Sequence, residues 1–458
     1  GTVNQFLGDG LMALFGALVA LEDHAFRGVQ AAPGIPERLT GYSEELSRDR
    51  NVELQLRLGL NTVLVVVGRI GDDLRMDYTA VGDTTHLASR VQSLAEPGTI
   101  VITEATHRLV EGYVQTESLG PVEVKGRNER VRVYRVIARR RGRTRLEVRV
   151  ERGLTELVGR ERELAILQEC VTRVRAGRGQ VVGLVGEPGV GKSRLLYEFR
   201  QSLEGERVTW LEGHCVAYGQ TTPYLPILGM LRANFQIEED DNPLQIHEKL
   251  RQGVRRVDPA LEGILPFLGE VFGLPGATEA LKHLDPKDKR QKTFEAIRTL
   301  IVAGSQQRLH VLVLEDLQWI DTISEDYLAF LTASLAGVPV LLLTTQRPGY
   351  TVRWADKTYY TQIALDLLGE RETETLTAAL LGTRQLPSDL MRIAHEKADG
   401  NPLFVEEITA SLRERGMLVR RNGEILWTGG APVEFPSTIQ DIIRARIDRL
   451  EEPIKRTI

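Results

Sequence analysis

Apolar positions in the first 138 residues fall in short runs that alternate with polar ones and break at turn residues, which predicts strands joined by two helical stretches. A first hairpin is expected to turn at Gly8-Asp9-Gly10. A β-branched run covers Leu64 to Val67, and a strand over Arg75 to Val81 leads into a helix over Thr84 to Leu94, where Leu87, Val91 and Leu94 recur at helical spacing. Alternation over Val122–Lys125 and Val131–Val136 predicts a closing hairpin around Gly126-Arg127-Asn128. This pattern reads as an α+β domain over residues 1–138.

The pattern changes further on. Between residues 156 and 350 nearly continuous apolar runs, Val181–Val185, Val311–Leu314 and Val340–Thr344, alternate with helical segments, the mark of a parallel sheet buried on both faces. After Pro348 the chain becomes mostly helical, and residues 351–458 are expected to form a helical lid and a partial winged helix with a turn at Arg421-Asn422-Gly423. Residues 139–155 open on Arg139-Arg140-Arg141-Gly142-Arg143-Thr144-Arg145, whose like charges repel and resist packing. No aromatics interleave them, so a solvated linker is expected there in preference to a nucleic-acid surface.

Composition narrows the class. With 458 residues, roughly three domains are expected at about 150 residues each. A net charge of −5 excludes a polybasic architecture built for nucleic acid or anionic lipid. Cys170 and Cys215 are too few for a disulfide framework or a four-cysteine zinc site, which points to a reducing cytoplasm. The longest apolar stretch, Leu11–Leu21, is shorter than the 18 or more residues of a membrane span. Because the chain starts at Gly1 with no methionine, it is expected to be a piece of a longer protein.

The strongest chemical signal is Gly186-Glu187-Pro188-Gly189-Val190-Gly191-Lys192-Ser193, which fits G-x-x-x-x-G-K-[ST] after an apolar strand and before a helix. Glycines at 186, 189 and 191 let successive N–H groups face phosphates, Lys192 reaches the β and γ phosphates, and Ser193 suits Mg²⁺. A second buried strand ends in Glu315-Asp316, two carboxylates that divide metal contact and activation of the attacking water between them. Spacing leaves open which does which. His214 and Cys215, being adjacent, read as ordinary strand-end residues, and Trp319 as packed core.

Residues 156–458 resemble the STAND class of AAA-related signalling ATPases. Glu156-Leu157-Val158-Gly159-Arg160-Glu161 is similar to that family's opening motif, so the resemblance implies Gly159 and Arg160 near the adenine. Leu314 through Asp321 looks like its extended acidic motif, Arg347 matches its sensor arginine, and Gly400-Asn401-Pro402-Leu403 resembles the lid motif whose proline, here Pro402, packs near the nucleotide. The family implies a nucleotide-controlled switch between closed ADP and open ATP states.

Residues 1–138 resemble class III nucleotide cyclases, which implies a ferredoxin-like α+β fold. The resemblance rests on Phe6 to Gly16, on Arg75 to Asp83, and on Leu87-Ala88-Ser89-Arg90. It implies attack of the ribose 3′ hydroxyl on the α phosphate with loss of pyrophosphate, assisted by two Mg²⁺ or Mn²⁺ ions. Asp9 would be a metal ligand, Arg90 the transition-state cation, and Thr79 the residue at the adenine edge. Asp83 reads as a cap of the following helix.

Gln5 stands where a purine-selecting lysine is common, His86 where an asparagine orients the ribose, and Val63 where a glycine follows Asn61-Thr62. The family's first metal aspartate lies in a segment that this sequence does not include. Catalysis in the family needs two cyclase domains face to face, so a homodimer is implied, with ATP or GTP as substrate and an unidentified protein partner. Three readings follow from the sequence: a cyclase regulated by a STAND-type ATPase, an ATP-driven switch carrying a degenerate cyclase, and an ATP-dependent transcription regulator.

Overall fold

The computed structural model describes residues 2–7, 10–15, 24–50, 55–62, 66–70, 77–81, 83–124, 130–139, 150, 153–216, 219–238, 241–383, 386–414, 417–421 and 424–427. It is a multidomain α/β protein in which residues 1–154 and 155–428 belong to separate units.

In the first unit, β1 (Thr2–Leu7) and β2 (Gly10–Leu14) form an antiparallel hairpin with Leu7 opposite Gly10. Helix α1 (His24–Arg50) follows. Then come β3 (Leu58–Leu60), β4 (Val66–Ile70) and β5 (Asp77–Val81), the last two paired antiparallel. Helix α2 (Asp83–Leu94), β6 (Ile100–Thr103), α3 (Glu104–Val110), β7 (Val114–Val122) and β8 (Val131–Arg139) complete the unit. A four-stranded sheet runs in the order β3-β6-β8-β7, with β3 and β6 parallel and the other pairs antiparallel.

Strand β6 is buried throughout, and its pleat divides the core. Ile100 and Ile102 pack with Ala25, Val29 and Ala32 of α1, whereas Val101 packs with Leu87 and Val91 of α2 and with Val133. The α+β class is therefore met, but the described strands are divided among three sheets where a ferredoxin-like fold joins them in one.

Several expectations shift. The closing hairpin takes its first strand from Val114–Val122, not Val122–Lys125, because two register shifts beside Thr116 and Gly120 break the alternation that would reveal it. Val124 lies outside the strand and is buried all the same. The helix begins at Asp83. Leu94 is 41% exposed and Ala95 fills the inner position, 3% exposed. A short third helix, α3, starts where the Thr103 hydroxyl accepts the Thr106 N–H. Gly8 and Asp9, Val63–Val65, Gly126–Asn128 and the arginine-rich segment 140–149 lie outside the described residues.

The second unit is built on a wholly parallel sheet of five strands in the order β10-β11-β12-β9-β13. In chain order its elements are α4 (Glu161–Arg175), β9 (Gln180–Val185), α5 (Lys192–Ser202) and β10 (Val208–His214). A helical insertion follows: α6 (Leu225–Phe235), α7 (Pro243–Val257), α8 (Leu265–Val271), α9 (Pro275–Ala280) and α10 (Pro286–Ser305). The sheet resumes with β11 (Leu309–Glu315), α11 (Thr322–Thr332), β12 (Val340–Gln346) and β13 (Tyr360–Ala364).

Alternate residues of the inner strands feed two cores. Val311, Val313, Leu341 and Leu343 meet α4 and α5 through Leu167, Leu195 and Phe199, while Leu312, Leu314 and Leu342 meet the insertion through Ile227 and Ile297 and α11 through Leu331. The sheet continues past residue 350. Its edge strand β13 was hidden in a stretch expected to be helical, since Tyr-Thr-Gln-Ile-Ala has one outward face and lacks a long apolar run.

Beyond the sheet lie α12 (Glu370–Leu381), α13 (Ser388–Ala398), α14 (Pro402–Glu414) and an antiparallel pair, β14 (Leu418–Arg421) and β15 (Glu424–Trp427). The final helix expected for a winged helix lies outside the described residues. Among the described residues no helix is long and apolar enough to cross a membrane.

Gly59 marks the tightest seat in the first unit: a Cβ there would lie 2.3 Å from the Gln92 nitrogen and 2.5 Å from the Ala88 carbonyl of α2. Gly59→Ala is expected to destabilise the cyclase-like unit by about 1–3 kcal/mol or more, because backbone cannot yield as a side chain does. Gly34→Ala, with open space around it in α1, should leave stability unchanged or raise it slightly. Urea unfolding followed by circular dichroism checks both.

Candidate functional site

The phosphate loop, His214, Glu315, Asp316 and Arg347 emerge at the carboxyl edge of the parallel sheet, where strands stop and the chain departs. The loop after β9 turns through Gly189 and Gly191, at φ +86° and +99°, values that side-chain-bearing residues rarely adopt. Its first residue is tied to the neighbouring strand, the Gly186 N–H donating to the Gln346 carbonyl at 3.2 Å. The Lys192 ammonium folds back over the loop and donates to the carbonyls of Gly186 (2.8 Å) and Glu187 (3.0 Å). Burial lowers its pKa, against the pull of the Asp316 carboxylate and with the push of Arg347.

Beside it the Ser193 hydroxyl donates to Glu315 Oε2 at 2.5 Å. Burial raises the pKa of that carboxylate, while His214 and the serine bond hold it down. His214 Nδ1 lies 3.5 Å from Glu315 Oε1, so it joins the acidic site and is not the bystander its position suggested. No sequence signal marks it. It meets Glu315 because β10 runs beside β11 with His214 and Glu315 in register.

Asp316 adopts φ +62°, its N–H donating to Thr345 Oγ1 at 2.9 Å and its Oδ1 accepting from Gln318 Nε2 at 2.9 Å. Arg347 donates its main-chain N–H to Gln318 Oε1 at 3.2 Å and holds its guanidinium carbon 5.0 Å from the Trp319 ring centre. Trp319 is thus a half-buried platform for the arginine and not wholly packed core. Asp321, inside the same motif, is buried and accepts the N–H groups of Tyr224 and Ser324, which makes it a helix cap.

Two residues assigned by resemblance to the nucleotide are engaged with the protein. Arg160 is 5% exposed and its guanidinium donates to the carbonyls of Val190 (3.3 Å) and Asp366 (2.5 Å), a strut between the phosphate loop and the exit of β13. Gly159, at φ +69°, lies so close to Glu372 that a Cβ would come within 2.5 Å of its carboxylate. Pro402 opens α14, and the residue before it does the gripping: Asn401 Nδ2 donates to the Pro188 carbonyl at 3.0 Å. The Leu403 N–H points to the Gly189 carbonyl at 3.4 Å. Asn401 stood inside the Gly400-Asn401-Pro402 motif, but the motif drew attention to the proline.

Ser193, Glu315 and Asp316 offer only hydroxyl and carboxylate oxygens, the donor set of a hard divalent cation, so these residues fit Mg²⁺. Among the described residues no three His, Cys, Asp or Glu side chains gather into a metal cluster.

In the first unit, Gln5 lies on β1 opposite Met12 and Thr79 on β5 opposite Gly68, and these two strands approach one another. His86 and Arg90 lie four residues apart on α2; Arg90 is half-buried. Asp9, the proposed metal ligand, lies outside the described residues. Asn61 and Thr62, which precede Val63, join a hydroxyl network in which Thr103 Oγ1 donates to Asn61 Oδ1 and the Thr62 and Thr106 hydroxyls meet, both at 2.9 Å.

A glycine loop that turns onto a helix, with an acidic strand end beside its serine, defines a P-loop nucleotide-binding protein. Residues 156–343 match the family described as the AAA ATPase domain, residues 5–138 the adenylate and guanylate cyclase catalytic domain, and residues 369–424 a domain of unknown function. The chain is therefore a class III cyclase domain fused to an AAA ATPase domain. An uncharacterized protein of Rhizobium meliloti (strain 1021) is 30% identical over 414 residues, which are 89% of this chain and 39% of that protein. Adenylate cyclase 1 of the same organism is 33% identical over 139 residues, 30% of this chain and 21% of that protein. The chain spans well under half the length of either relative. The crystal structure of the adenylyl cyclase CyaB from P. aeruginosa is similar at 30% identity, covering 31% of this chain and 75% of that one, with a TM-score of 0.29.

Asn401→Ala removes the bond to Pro188. A lost hydrogen bond of about 1 kcal/mol predicts amide exchange in residues 186–193 about fivefold faster. Hydrogen-exchange mass spectrometry on the nucleotide-free protein measures it, and an unchanged rate would show that the asparagine does not hold the loop.

Proposed function

We propose that the chain serves an intracellular signalling enzyme in which a cyclase converting ATP to cyclic AMP and pyrophosphate is governed by a STAND-type module that binds and hydrolyses ATP. The observation that carries the ATPase half is the contact between Ser193 and the half-buried Glu315 directly beside the phosphate-loop lysine. Lys192 would exchange its two loop carbonyls for phosphate oxygens, so the loop is already shaped for the ligand. Ser193 with Glu315 or Asp316 would hold Mg²⁺, which when bound offsets phosphate charge. The other carboxylate orients the attacking water and accepts its proton. Arg347 is set as the γ-phosphate sensor, and residues 370–414 act as the lid that closes on the loop through Asn401.

In the cyclase half, Asp9 holds metal, Arg90 faces the charge developing on the α phosphate, and Thr79 and Gln5 line the purine site. The ribose 3′ oxygen forms the new bond to the α phosphorus, the bond to pyrophosphate breaks, and the 3′ proton passes to water. Two cyclase domains face one another in a homodimer. A second reading, an ATP-driven switch with a degenerate cyclase, is favoured by Gln5, Val63 and His86, which stand where the family has lysine, glycine and asparagine.

Lys192→Ala should weaken ATP binding about 10- to 100-fold, from loss of charge-assisted bonds of about 1.5–3 kcal/mol. Fluorescent-nucleotide titration measures this, with circular dichroism showing an unaltered fold. Asp9→Ala in the intact protein should abolish cyclic nucleotide formation from ATP while ATP hydrolysis persists. Wild-type protein that hydrolyses ATP yet makes no cyclic nucleotide from ATP or GTP supports the degenerate switch.

A further inference from the structure

Gln318 lies between the acidic end of β11 and the arginine that follows β12. Its Nε2 donates to Asp316 Oδ1 at 2.9 Å and its Oε1 accepts the Arg347 main-chain N–H at 3.2 Å. The amide orientation follows from chemistry, since an ionised carboxylate only accepts and a peptide N–H only donates. Both partners belong to strand ends: Asp316 follows β11 and Arg347 follows β12, with the Asp316 N–H also bonded to Thr345 of β12. The main chain of Gln318 is itself held, its carbonyl accepting from Gln220 Nε2 at 3.4 Å, and it lies in a tight turn closed by the Trp319 N–H on the Asp316 carbonyl at 2.9 Å. Its neighbour Trp319 carries the Arg347 guanidinium on its face. Asp316 pulls the pKa of Lys192 up and Arg347 pushes it down.

We propose that Gln318 is a positioning residue for ATP hydrolysis, a bridge that fixes the Asp316 carboxylate and the Arg347 backbone relative to one another so that acid and sensor move as one. The inference rests on the ATPase reading above and assigns that site a further residue. Glutamine is suited to it by polarity as well as length. Glutamate keeps the acceptor for Arg347 and turns a second carboxylate on Asp316; methionine keeps the bulk and neither bond.

The test is single-turnover hydrolysis of ATP by the full chain, beside ATP affinity, for wild type, Gln318→Met and Gln318→Glu, each also in an Asp316→Ala background. The expected result is hydrolysis about tenfold slower or more in both single variants with ATP affinity within about twofold of wild type, the split of a group that acts after binding. In the Asp316→Ala background the further loss from Gln318→Met should shrink to about twofold or less, since the residue acts through the carboxylate. Wild-type hydrolysis in Gln318→Met, or equal losses with and without Asp316, overturns the bridge and leaves the ATPase reading standing. No hydrolysis by wild type overturns both. Should Gln318→Met fail to fold, judged by its circular dichroism, Gln318→Glu carries the same comparison, because it retains the shape and the bond to Arg347.

Discussion

The parallel sheet of the second unit is buried on both faces, and everything chemical in that unit follows from this constraint. Inner strands such as β11 and β12 cannot carry a charged side chain on either face without desolvating it, so charge is confined to strand ends. At the carboxyl edge the chain leaves the ladder, and its free N–H groups and polar side chains converge. Glu315, Asp316, Arg347, His214 and the phosphate loop are all products of that single edge. Their mutual bonds cross from strand to strand, as Gly186 to Gln346 and Asp316 to Thr345 show. The site is therefore tied to the sheet beneath it.

Local spacing made the core of this site readable. A glycine loop between strand and helix, and an acidic pair ending an apolar run, are written within a few residues each, and the fold places them side by side through strand register. What spacing cannot show is which distant side chain comes to lie opposite. His214 reaches Glu315 from across a strand pair, and Arg160 turns toward carbonyls of Val190 and Asp366, one of them over two hundred residues away. Edge elements were also obscure: β13, with a solvated face, lacks the apolar signature of its neighbours, and β7 hides behind its two register shifts.

The first unit solves a similar packing problem on a smaller scale. One fully buried strand, β6, supplies both cores, with alternate residues serving α1 on one side and α2 on the other. Its neighbour β3 comes closer still to α2, at Gly59, where sheet meets helix backbone with no side chain between. The α2 pattern was plain in the sequence because Leu87 and Val91 pack into this core, whereas the candidate residues on β1 and β5 were legible only through resemblance.

The helical segment after the sheet grips the phosphate loop by its main-chain oxygens, through Asn401 to Pro188 and Leu403 to Gly189. Such a latch does not read the side chains of the loop. The exposed side chain at 187 can change without loosening it, provided the carbonyls stay where they are, whereas Val190 is 1% exposed and held in the core. Loop length is another matter: one residue added or removed between Gly186 and Lys192 would rotate both oxygens out of reach. The latch thus reads the length of the loop more strictly than its exposed side chains, so descendants of this architecture are held to one loop length and one closing geometry.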